Sequence, residues 1–310
     1  MAYDKLCRTP TTGPFQPLHT LAITSLSEKD QTTLKDKYVL PRNNSERDRL
    51  QTQHRLFTEI LGGRLIVDKT IRIRPDDRVL DSGTGVASWI LDLRESAPET
   101  AEFVGIDISS HMFPTDVPSD VKLLEMSSLS LPSDWENSFD FVNQRLLIGA
   151  FTAEQWKIAL SGYFRVLKPG GVLQLIEAGL FESLHDSDSL PATKLANEFC
   201  IAMIDRRGLL GQQRIHQLPT FVKEAGFSDI RNNDYKAPVG RQWGEIGTSA
   251  AQIWISAIRS YGAACLAEGG LGVCNSQDDV DGVIDQVARE WDDNPGVFVQ
   301  MHTITARKPL

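Results

Sequence analysis

Cysteine is scarce in this chain and poorly placed for a metal. Cys7, Cys200, Cys265 and Cys274 are the only four in 310 residues, and none falls into a C-x-x-C or Cys/His ligand spacing. Reduced thiols and no metal are the expectation. Basic residues are the minority charge: 32 Lys and Arg against 41 Asp and Glu leave a net charge of −9, with no basic stripe for a phosphate backbone. No nucleic-acid partner is expected. Long apolar runs are missing too, since no stretch approaches the ~18 residues of a membrane span and the first thirty residues lack the pattern of a secretory leader. A soluble, cytoplasmic protein without a membrane partner is the default. What remains, at 41% hydrophobic residues, is enough for a full core without staples.

Residues 1–37, rich in Thr and Pro without steady periodicity, read as an N-terminal arm. A helical lid segment follows over 38–69. There Asn43, Asn44 or Ser45 can cap a helix, Gly62 and Gly63 can end it, and Leu50, His54, Phe57 and Leu61 share one face. Over 70–310 short apolar runs alternate with helical segments: RVLD (78–81), EFVGID (102–107), VKLLEM (121–126), FDFVNQ (139–144) and GVLQLIE (171–177), the last preceded by the breaker LKPGG. Strands covered on both faces read as continuous apolar runs. The fold class is therefore α/β with a doubly wound sheet. Two further strands are expected in SDIRNNDYKAPVG and GVFVQMHTITARK, and helical excursions at about 179–216 and 241–295 read as cap insertions over the sheet's carboxyl edge.

The stretch VLDSGTGVASW, residues 79–89, ends an apolar run in Asp81 and turns through Gly83 and Gly85 before helix-like sequence resumes. Glycines there let bare backbone approach a ligand, and a nucleotide-like group suits the turn. A plain strand-to-helix turn is the alternative. The second run ends in Asp107, twenty-four residues after Gly83, near the spacing at which a carboxylate meets a ribose diol. Capping the segment ISSHM is its other reading. A dinucleotide fingerprint fails at Ser88, where Gly or Ala is required, and Tyr163 is followed four residues later by Leu167 instead of a reductase lysine.

Together VLDSGTGVASW, VGIDIS, LSLPSDWENSFDFVNQRLL and YFRVLKPGGVLQLIE resemble class I S-adenosylmethionine-dependent methyltransferases over roughly 70–180. YVLPRNNSERDRLQTQH, FVNQRLLIG with Trp156, and EAGF with APVGRQWGEIG narrow the resemblance to the fungal LaeA-like methyltransferases of secondary metabolism. That resemblance implies a seven-stranded Rossmann-like sheet whose last strand is antiparallel and inserted between the fifth and sixth, with S-adenosyl-L-methionine as cofactor. It implies cofactor contacts from Tyr38, Gln53, Asp81, Ser82, Gly83, Gly85, Asp107, Ile108, Met126, Ser127, Asn143 and Gln144. The acidic residue such enzymes carry after the third strand falls on Ser127 here, two places beyond Glu125. His54, Gln144 and Arg145 are the catalytic candidates; His54 also reads as a bonded core histidine and Arg145 as half of a salt bridge. His111, His185 and His216 are further candidates near the acceptor, and Trp243, Trp254 and Phe199 read as packing or pocket wall. The expected reaction is methylation of a small molecule, at oxygen first and nitrogen second, with a non-catalytic regulator of the same fold as the alternative.

Overall fold

The computed structural model describes residues 44–184 and 190–310. Seven strands, β1 (Arg78–Ser82), β2 (Glu102–Asp107), β3 (Val121–Glu125), β4 (Phe139–Arg145), β5 (Leu167–Ser183), β6 (Ser228–Pro238) and β7 (Val297–Arg307), form one sheet in the order β3-β2-β1-β4-β5-β7-β6. The first five run parallel, and β7 lies antiparallel between β5 and β6. The expected topology is the one observed.

The apolar runs explain the layers. Val79, Phe103, Phe141 and Val172 are register neighbours that share a core with Trp89, Ile90 and Leu93 of helix α2 (Ser88–Ser96). One residue further, Leu80, Val104, Val142 and Leu173 share the opposite core with α3 (Ala153–Val166), whose Trp156, Ala159, Leu160 and Tyr163 are fully buried. Alternate side chains thus serve opposite faces, and both are covered. Thr152 and Gln155 close a capping box at the start of α3.

The breaker LKPGG behaves differently from expectation. Leu167 already pairs with Phe139, and the register shifts before Phe141 meets Val172, so the segment is an irregularity inside β5 and not a break ahead of it. Strand β5 also runs past Glu177 to Ser183, pairing with β7 as far as Val297.

A third layer covers the carboxyl end. Helix α1 (Asn44–Ile60) packs on α6 (Gly244–Ala267), which with α4 (Pro191–Arg207) and α7 (Gln277–Asp293) encloses Phe199, Met203, Ile253, Val280 and Trp291. Leu190, at the head of α4, offers no side-chain cap. Glu290 of α7 substitutes, accepting from the Ala192 and Thr193 amides at 2.8 Å and from Thr193 Oγ1 at 2.7 Å. Short α5 (Leu218–Glu224) packs under α3.

Candidate active site

At the carboxyl ends of β1, β2 and β4 a cleft of about 170 Å³ opens. The chain leaves β1 through Gly83 and Gly85, at φ 72° and 55°, and Gly85 lies on the cleft floor beside Leu50. A Cβ at Gly83 would come within 2.9 Å of Leu147. Asp107, ending β2, accepts from the Gly85 amide (3.0 Å) and the Ser109 amide (3.1 Å), so its carboxylate stands in the wall and fixes the turn. Both expected readings of Asp107, ligand acceptor and local cap, are compatible with that position. Gln53, His54, Ile108, Ser127 and Arg145 also line the cleft.

Other expected contacts stand behind this surface. Asp81 is buried, with its oxygens taken by Thr84 Oγ1 (2.6 Å) and Asn143 Nδ2 (2.8 Å), and it does not reach the cleft wall. Burial raises its pKa, against the lowering effects of Arg145, Thr84 and Asn143. Register explains the arrangement: Asp81, Asn143 and Gln174 are cross-strand neighbours, and Gln174 continues the row to Asn143 Oδ1 and to the backbone of Leu65 and Val67. Asn143 is thus a structural link, contrary to its assignment as a cofactor contact. Met126 packs into the core beneath, and Ser127 with Ser128 takes the wall position instead. Glu125 turns away to accept from Ser110. Tyr38 and His185 lie outside the described residues.

Gln144 and Ser82 belong to a second buried network. Ser128 and Ser82 share a hydrogen bond of 2.6 Å, Ser82 and Tyr163 one of 2.8 Å, and Tyr163 donates to Gln144 Oε1. Each hydroxyl has one proton, so the donors point one way, from Ser128 through Ser82 and Tyr163 to Gln144. Gln144 Nε2 then donates to Glu177 Oε1, which lies 3.1 Å from the Leu147 amide, while Glu177 Oε2 accepts from Ile148 N at 2.9 Å. Gln144 is therefore a relay of order and not a group facing the cleft. Glu177 anchors the loop after β4; burial pushes its pKa up to about 8, with the amide donors opposing. The loop needs an anchor, because Leu146 adopts a left-handed φ of 60°, a strained backbone for a branched side chain.

His54 is held at both nitrogens. Arg145 Nη1 donates to Nδ1 at 3.1 Å, which leaves the proton on Nε2 to be donated to Asp92 Oδ2 at 2.7 Å. Burial lowers the His54 pKa, Arg145 lowers it further, and Asp92 opposes. A neutral imidazole with a fixed tautomer follows.

A second cavity of about 110 Å³ adjoins the first through Leu50, Gln53, Leu146 and Ala150. Phe181, Trp254 and Tyr261 form its aromatic side, with Leu180, Ile258 and Cys200. Trp254 is thus pocket wall, Phe199 is core, and Trp243 is exposed with Nε1 donating to the Pro295 carbonyl. His111 is exposed and lines neither cavity; His216 borders a third, with Glu177, His302 and Asp234. Among the first cleft's residues missed by sequence reasoning are Glu46, Thr84, Met112, Ser128 and Leu147, with Gln174 behind it. Glu46 alone carried a signal, four residues before Leu50 on the apolar face of α1. Among the described residues, no cluster of His, Cys, Asp or Glu could hold a metal, and no helix is long and apolar enough to cross a membrane.

Residues 79–171 match a family model described as a methyltransferase domain. N-methyltransferase verN of Clonostachys rogersoniana is 28% identical over 219 residues, covering 68% of this chain and 72% of that protein. N-methyltransferase tcpN of Claviceps purpurea (strain 20.1) is 37% identical over 146 residues, 45% of this chain and 51% of that one, so the chain spans about half of that relative. The secondary metabolism regulator LAE1 of Pyricularia oryzae is 26% identical over 219 residues, covering 68% and 64%.

Proposed function

We propose that this chain is a class I S-adenosylmethionine-dependent methyltransferase and that it methylates a nitrogen of a small secondary metabolite seated in the second cavity. The first cleft fits the cofactor in three respects. Its floor is bare backbone at Gly83 and Gly85, its wall presents the Asp107 carboxylate that a ribose diol needs, and Ile108, Met112, Ser127 and Ser128 offer a base apolar contact and hydroxyls. When bound, S-adenosylmethionine supplies an electrophilic methyl whose bond to sulfur breaks, sulfur keeping the pair, as the acceptor's bond to carbon forms. The chain's own part is to hold the acceptor in line beside Leu146 and Ala150, where the two cavities meet.

One observation favours nitrogen over oxygen: the described residues lining the second cavity include no His, Asp or Glu. A phenol or alcohol needs a base for its proton, and the imidazole in the adjoining cleft has both nitrogens engaged by Arg145 and Asp92. A nitrogen lone pair attacks with its proton still on nitrogen, the methylated ammonium giving that proton to water on release, and an apolar cavity keeps an amine in its neutral, nucleophilic form. The names of verN and tcpN favour the same atom. On this reading His54 and Arg145 shape and orient, and neither exchanges a proton.

The test uses the full chain with methyl-deuterated S-adenosylmethionine and two acceptors of one ring shape, tetrahydroquinoline and tetrahydronaphthol, read by mass spectrometry. A deuteromethyl group on the amine alone is expected. Transfer to the naphthol alone would return the reaction to oxygen, and failure to bind S-adenosylhomocysteine by calorimetry would defeat the cofactor assignment. The likeness to LAE1 favours one second reading, a regulator of secondary metabolism. It predicts cofactor binding with no deuteromethyl on any acceptor.

A further inference from the structure

We propose that Arg49, held by Glu46, orients the acceptor, and that the acceptor is an uncharged ring compound bearing a carbonyl oxygen. This rests on the reading that the second cavity is the acceptor site. Arg49 is the one charged side chain among the described residues that line that cavity. Its Nε and Nη2 donate to Glu46 Oε2 and Oε1, each at 2.7 Å, in a two-point pair whose side chains are only 7% and 4% exposed. Glu46 lines the first cleft. One ion pair on α1 therefore borders both cavities, Glu46 lining the first and Arg49 the second.

Charge selects the ligand. Removing two ions from water is expensive, and the pair repays that only while its partners stay matched. An anionic acceptor would compete with Glu46 for the guanidinium. A cationic one would meet Arg49 with no carboxylate among the described residues of that wall. A neutral carbonyl oxygen can accept from the planar guanidinium without disturbing the pair. Ring shape comes from the rest of the wall, where Phe181 and Trp254 stand edge to face at 6.1 Å beside Leu180 and Ile258.

The test saturates the full chain with S-adenosylhomocysteine and titrates four probes on one skeleton: 1-tetralone, tetralin, 2-aminotetralin and tetralin-2-carboxylate. The ketone is expected to bind about tenfold or more tighter than each of the others, as a hydrogen bond to a charged donor requires. Arg49→Met should bring the ketone down to the affinity of tetralin and leave tetralin unchanged. Because that variant removes one partner of a buried carboxylate, the double variant Glu46→Gln with Arg49→Met carries the same test without the Glu46 charge. Equal ketone binding in wild type and a folded variant, tighter binding of either charged probe, or no ketone binding to the wild type would overturn the proposal. The same samples report S-adenosylhomocysteine affinity. Its absence defeats the cofactor reading, whereas its presence without a ketone preference defeats this inference alone.

Discussion

The two cavities share Leu50, Gln53, Leu146 and Ala150, yet they are built in opposite ways. The first sits on the ends of adjacent parallel strands, and the polar groups behind it are tied by cross-strand register, as in the row Asp81, Asn143, Gln174. The second is gathered from α1, the loop after β4, the end of β5, α4, Gln212 and α6, and its wall is mostly apolar. Sheet geometry fixes where a cofactor can lie. Packing of distant helices decides what lies beside it.

The sharpest way to break that contrast is to loosen the cap and ask whether the cofactor notices. Trp291 is fully buried in the cap, 4.9 Å from the Phe181 ring, and its Nε1 donates to Thr193 Oγ1. Trp291→Ala should cost about 3–5 kcal/mol of unfolding free energy through the cavity it leaves, measured by urea denaturation. Tetralone affinity should fall with it, while S-adenosylhomocysteine affinity stays within about twofold, below half a kcal/mol. A parallel loss of both ligands would show that the halves are not separable. The converse variant is Asp107→Ala, which removes the acceptor for the Gly85 and Ser109 amides. Calorimetry should find S-adenosylhomocysteine weakened by about 1.5–3 kcal/mol, and unchanged affinity would remove Asp107 from the site.

The same contrast governs what the chain disclosed as sequence. Strands covered on both faces had to be apolar runs, so β1, β2 and β4 were legible almost to the residue. Gly83, Gly85 and Asp107 were legible because a tight turn and a strand-end carboxylate follow from local order. Asp81, Asn143 and Gln144 look like site residues on the same grounds, since they end strands at the right edge. Side-chain direction turned them inward, and which of two polar neighbours faces a ligand depends on partners such as Thr84, Gln174 and Tyr163 that no spacing reveals. The second cavity was least legible, because Arg49, Phe181, Cys200 and Trp254 meet only after three helices pack.

The smallest effect expected is the most discriminating between the cavities. His54 lies in the first cleft and outside the second, and its pKa is lowered chiefly by burial, then by Arg145. The unfolded chain therefore takes up the proton more readily than the folded one. Below the ordinary imidazole value of about 6.5, falling pH should progressively destabilise the fold until the lowered folded value is passed; above it the His54 contribution is complete and level. Protonation would also oppose the guanidinium of Arg145 and break the Nδ1 acceptor, so S-adenosylhomocysteine affinity should weaken over the same window. Tetralone affinity should not. His54→Gln should flatten both the melting-temperature slope and the cofactor slope between about pH 5 and pH 7. Should wild type and variant melt with the same pH dependence, the neutral histidine held between Arg145 and Asp92 is not the titrating group, and the two cavities lose the one proton that tells them apart.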